Sequence, residues 1–203
     1  RRNKIKVTSV TMDNVMQAPF HKTKGALQHG LLEDFSAVVD ACAAAKIKIL
    51  VLPLVDDGAL ENAEDEAALK SGLDIVFPVL SRNQMRIAFE SDFPPDRLAK
   101  FLATYGAQNF GLTYDIGNSA GLGFDPGDEF KAYGERIIHV HVKDRLRGGS
   151  TVPLGEGDAL FDNVFDYIAA QNYQGDIILQ TARADDDNHG GVLTTYRSMV
   201  LDW

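Results

Sequence analysis

The residues best suited to chemistry in this chain are Glu90, Asp115, His141 and Gln180, and each stands at or beside the end of a short β-branched run. Two carboxylates, an imidazole and an amide oxygen make a mixed oxygen and nitrogen donor set of the kind that holds Mn2+, Mg2+, Co2+ or Zn2+, and the sequence does not choose among these metals. In parallel α/β folds the carboxyl ends of the strands converge on the ligand site, so side chains distant in sequence meet there. One acid at a strand end is commonplace. Three metal-competent groups on three consecutive strands, with an amide on the fourth, point to one divalent ion held between them.

The same residues admit plainer roles. Glu90 and Asp115 can each cap the helix that follows, the commonest task of an acid in a βα loop. His139 and His141 project from one face of their strand, because side chains alternate. His141, nearer the carboxyl end, is the better ligand, and His139 reads as a hydrogen-bonded core group. Beyond His141 the chain runs Lys143-Asp144-Arg145-Leu146-Arg147-Gly148-Gly149 and then Pro153-Leu154-Gly155-Glu156-Gly157-Asp158. Glycines let backbone N–H groups turn toward an anion, and the arginines Arg145 and Arg147 can grip a phosphate or carboxylate with two parallel bonds, with Lys143 and Glu156 beside them as substrate contacts. Arg183, just past Gln180, approaches the same place, and His21, Lys22 and Lys24 repeat the signal more weakly after the first strand. Loop arginines are more often simply solvated.

The elements that must position these groups alternate short strands with segments of helical period. Strands are expected at Lys4 to Thr11, Ile47 to Leu54, Met85 to Glu90, Phe110 to Asp115, Ile137 to Val142 and Asp176 to Gln180. Helices are expected from Leu31 to Ala45, with Leu32, Phe35, Val38, Val39 and Cys42 on one stripe, and from Leu98 to Tyr105 after Pro94-Pro95-Asp96. Two more are expected at Phe161 to Gln171 and Val192 to Leu201. Glu64 to Asn83 has helical spacing, but Pro78 should kink or interrupt it, and Asp74 to Leu80 also reads as a strand. Six βα units fit an open doubly wound sheet or part of a barrel. No G-x-G-x-x-G or Walker-type loop follows the first strand, so a dinucleotide or nucleotide-phosphate cradle is missing.

The formal charge of −9 repels phosphodiester backbones, which argues against nucleic acid as a partner. The apolar runs are too short to cross a bilayer, no signal peptide opens the chain, and cytoplasm is the default compartment. With one cysteine, Cys42, no internal disulfide can form, and no linker divides residues 1–203, so one domain is expected.

Three stretches, Ile87-Ala88-Phe89-Glu90, Asp115-Ile116-Gly117-Asn118 and His139-Val140-His141-Val142-Lys143-Asp144 continuing to Asp158, resemble the sugar phosphate isomerase/epimerase branch of the xylose isomerase-like TIM-barrel superfamily. The resemblance implies a (β/α)8 barrel, here lacking counterparts of the first two βα units and so showing six parallel strands with outer helices. An unclosed barrel leaves edges that either upstream residues or another chain, as in a homo-oligomer, would cover. It implies one divalent ion held by a Glu, an Asp, a His and a second Glu, matched here by Glu90, Asp115 and His141, with Gln180 standing where the second Glu is expected. It places Arg147 at a substrate-binding arginine and Asn118 at a substrate-contacting position. The implied activity is isomerisation or epimerisation of a small keto sugar or its phosphate through an enediolate, with Glu90 as base. Because glutamine does not accept a proton at neutral pH, Gln180 weakens two-base epimerisation and makes one-base isomerisation, dehydration or a non-catalytic sugar-binding paralogue competing expectations.

Overall fold

Runs of Val, Ile, Leu and Phe become strands where both faces are covered, as parallel strands require. The computed structural model describes residues 5–184 and 186–203, so Lys4, at the head of the first expected strand, lies outside them. The chain clusters into two units, Arg1–Ser91 with Thr104–Leu112, and Asp92–Ala103 with Thr113–Trp203.

The first unit opens with β1 (Ser9–Thr11), α1 (Asn14–Gln17) and a 3-10 turn at Phe20–Lys22, then α2 (Gly25–Ala45), β2 (Ile49–Leu54), a second 3-10 turn at Asp56–Gly58, α3 (Ala63–Asn83) and β3 (Arg86–Ser91). It ends in the first half of β4 (Phe110–Asp115). β1 is shorter than expected: Ile5 and Val7 are exposed, and pairing with β2 begins only at Ser9. In α2, Phe35, Val39 and Cys42 form the buried stripe, and Phe35 stacks on Phe20 with centroids 5.2 Å apart.

Contrary to the expected interruption, α3 is continuous through Pro78, and Asp74 to Leu80 is helix rather than strand. Pro78 and Asp74 both lie on the exposed face, so the carbonyl that loses its helical donor is on the side where water can serve it. Leu69, Leu73, Val76 and Leu80 bury the opposite stripe. On β3, Phe89 stacks with Phe110 at 5.9 Å and tilts against Tyr105 at 5.2 Å. Alternation therefore sends the buried Glu90 to the other face of that strand.

The second unit comprises α4 (Pro95–Ala103), the rest of β4, α5 (Ile116–Leu122), α6 (Pro126–Tyr133), β5 (Ile137–Val142), a small antiparallel pair β6 (Asp144–Arg145) and β7 (Thr151–Val152), α7 (Phe161–Ala170), β8 (Ile177–Leu179) and α8 (His189–Asp202). The bounds of β4 and β5 match expectation. The helix foreseen at Leu98 begins at Pro95, and that foreseen at Val192 begins at His189, where the Asn188 side chain accepts the Gly191 N–H. α7 buries Phe161, Val164, Phe165 and Ile168, and Phe161 stacks on Trp203 at 4.2 Å.

The six principal strands form one sheet in the order β1, β2, β3, β4, β5, β8, and their pairings are parallel. Each successive strand is reached through a helical crossover, the βα order of a TIM barrel. Among the described residues no helix is long and apolar enough to cross a membrane.

Candidate metal centre

Asp115 is the last residue of β4 and the N-cap of α5, and its two oxygens do different work. Oδ1 accepts the Asn118 N–H at 2.8 Å, closing the first turn of the helix. Oδ2 lies 2.8 Å from the Lys143 ammonium and 3.7 Å from His141 Nδ1. The capping role weighed from the sequence is present, and it leaves Oδ2 turned toward Lys143 and His141. Burial pushes the Asp115 carboxyl up, but the His141 imidazole, the Lys143 ammonium and the Asn118 N–H together outweigh it and hold the group below the usual carboxylate range.

His139 and His141 share the inner face of β5, with ring centroids 4.9 Å apart at 78°. Burial and the neighbouring His141 lower the His139 imidazole to about 4, with Asp176 acting the other way, so His139 is neutral at physiological pH. Glu90 is buried at the end of β3 in the first unit, and Asp115 and His141 are buried side by side in the second. A carboxylate oxygen and an imidazole nitrogen 3.7 Å apart suit a divalent ion of the hard to borderline kind.

Gln180 follows β8 and is exposed, with its N–H donating to Val142 O at 3.0 Å. Because His141 is in register with Ile178, alternation turns Gln180 to the same face as His141. Asn118 Oδ1 accepts from Arg145 Nη1 at 3.0 Å, and the rest of the Arg145 guanidinium is tied to Gly149 O. Arg145, one of the two loop arginines expected to suit an anion, is engaged here with Asn118 and Gly149. Arg147 is exposed, and its side chain lies across Gly123, whose φ of +74° favours glycine. Glu156 is exposed, its N–H turned back to Pro153 O. Arg183 is exposed beside Gln180 and His189.

His21 sits in the first unit, buried, with Nε2 2.9 Å from Gly58 O, which ties together the loops after β1 and β2. Burial lowers its imidazole below the ordinary value of 6.5, against the opposing pull of the Gly58 bond. The unfolded chain therefore takes up the proton first as pH falls, so this contribution to stability is full above about pH 6.5 and is lost as pH drops through the folded value. We expect His21→Gln, which keeps a donor for Gly58, to show a shallower loss of stability than the parent protein between pH 7 and 5 in denaturant titrations. Equal slopes would show that His21 does not titrate with folding.

A family model described as xylose isomerase-like TIM barrel matches residues 3–198, and the chain belongs to that family. It is 30% identical over 138 residues to an inosose dehydratase of Lactiplantibacillus plantarum, covering 59% of this chain and 43% of that one. It is 29% identical over 145 residues to L-ribulose-5-phosphate 3-epimerase UlaE of Salmonella paratyphi A, covering 68% and 51%. The chain thus spans about half the length of these curated relatives. Among solved structures, the IOLI protein with a bound zinc atom superposes with a TM-score of 0.71 at 15% identity, over 95% of this chain and 73% of that one, a likeness of fold.

Proposed function

We propose that this chain acts in a divalent-metal-dependent isomerase or epimerase of a small keto sugar or sugar phosphate. The observation that carries the reading is the buried pair Asp115 and His141, a carboxylate oxygen and an imidazole nitrogen 3.7 Å apart at the strand ends. A bound divalent ion supplies Lewis acidity toward adjacent carbonyl and hydroxyl oxygens of a ketose. Asp115 and His141 act as ligands, Asp115 being fixed by the Asn118 N–H. Glu90 is both ligand and the base that takes the proton from the carbon beside the carbonyl, giving an enediolate. Lys143 offers its ammonium to a substrate oxygen. Gln180 can hydrogen-bond the sugar but cannot take the second proton, which favours one-base aldose–ketose isomerisation over two-base epimerisation.

A second reading, dehydration, draws support from the likeness to an inosose dehydratase. In that reaction Glu90 would take the same proton from carbon and hand it to the departing β-hydroxyl, which leaves as water while the C=C bond forms. Incubation of the protein with Mn2+ and keto sugars in D2O separates the two: isomerisation gives a product enriched in deuterium, and dehydration gives one lighter by water. No deuterium uptake and no mass loss with any ketose or ketose phosphate would sink both.

Gln180→Glu is expected to tighten divalent-ion binding about tenfold, or ~1.4 kcal/mol, by adding a third carboxylate. Isothermal titration with Mn2+ measures this, and unchanged affinity would place residue 180 out of reach of the ion.

A further inference from the structure

The second unit holds a half-open cavity of about 230 Å3 on the other side of β4 from Asp115. Tyr114 forms its floor; as the neighbour of Asp115 in the strand it points the opposite way. The remaining walls include Ser119, Phe124, Arg147, Asp158 and Val164.

The polar groups of this cavity have defined hydrogen-bonding capacity. Behind the floor lies Glu129, only 2% exposed, which receives O–H bonds from Tyr114 (2.8 Å), Ser119 (2.5 Å) and Tyr133 (2.6 Å). With their protons given to Glu129, Tyr114 and Ser119 present oxygens that accept. Asp158 also accepts: its Oδ2 takes the Arg147 N–H at 2.7 Å. The Arg147 guanidinium has no hydrogen bond or ion pair among the described residues. It is the donor at the rim.

The rim itself is held in place. Asp144, fully buried, accepts the N–H groups of Gly155 and Gly157 at 2.9 Å and of Ala159 at 3.2 Å, and the Asp158 N–H reaches Arg145 O at 2.9 Å.

The geometry points to a second ligand site here, for one unphosphorylated monosaccharide or polyol. Three acceptors facing one multiple donor suit hydroxyls, each of which gives one bond and takes another. Phe124 and Val164 supply apolar surface for the C–H face of the ligand. A phosphate or carboxylate would meet a single donor and the Asp158 charge. The assignment stands independently of the metal centre.

Amide NMR titration of the whole chain with D-glucose, D-ribose and xylitol, each with and without EDTA, tests it. At least one polyol should shift the resonances of Ser119, Phe124 and Val164, and the chelator should leave that response unchanged. Arg147→Ala should weaken it about tenfold. Ala159→Phe, which fills the cavity, should abolish it. The assignment is overturned if none of the three polyols shifts these resonances, if their shifts map elsewhere or vanish with EDTA, or if both variants leave the binding intact. A response to inorganic phosphate alone would overturn it too, by making Arg147 a plain anion site.

Discussion

Glu90→Gln is expected to lower deuterium exchange at the substrate carbon by about 10^2 to 10^4-fold, the usual worth of a positioned general base. The amide keeps an oxygen that can face the ion, so loss of the proton acceptor is separated from loss of the ligand. Glu90→Ala removes both and should also weaken Mn2+ binding. The expected signature is therefore a large fall in exchange for both variants, with Mn2+ affinity falling about tenfold in Glu90→Gln and further in the alanine variant. Exchange at the parent rate in Glu90→Gln would move the base to another residue and remove the mechanism proposed for this chain.

Asp144→Ala carries the largest expected effect on stability. Three backbone N–H groups converge on this one buried carboxylate, and each loses its acceptor in the variant. An unmet donor costs about 1 to 3 kcal/mol, reduced where water can enter, so the total should be about 3 kcal/mol. Gly157 is part of the same arrangement, since a Cβ there would overlap Asp144 Oδ1. Asp144→Asn should lose less, because its one carbonyl oxygen can still serve the Gly155 and Gly157 amides that share Oδ2. Urea unfolding gives the energies, and hydrogen exchange at Gly155, Gly157 and Ala159 shows whether the loop opens locally. Full protection of those amides in Asp144→Ala would mean that something else holds them.

The strand ends were the legible part of this molecule. β4 and β5 are buried on both faces, so their apolar runs have sharp limits, and Asp115 and His141 stand out at them. The family motifs pass through the same residues. Other features are set by chain path. Asp144 and Arg145 act on backbone groups several residues away, and no periodicity marks such a contact. α5 is Gly-rich and short, with no apolar stripe to reveal it. α6 did carry a signal, since Asp125-Pro126 with Asp128 and Glu129 is a capped helix start; Asp125 indeed accepts the Asp128 N–H. Pro78 misled because its orphaned carbonyl faces water, which lessens the cost, and the buried stripe of Leu69, Leu73, Val76 and Leu80 holds the helix through it. Gln180 follows a short strand of partly exposed residues, where side-chain reach is decided by neighbours rather than by local pattern.

The division of labour between the oxygens of Asp115 gives the experimenter a built-in gauge. Whatever draws electron density toward Oδ2 changes how well Oδ1 accepts the Asn118 proton. The chemical shift of that single amide should thus register occupancy at the far side of the carboxylate, with no extrinsic probe and no turnover required.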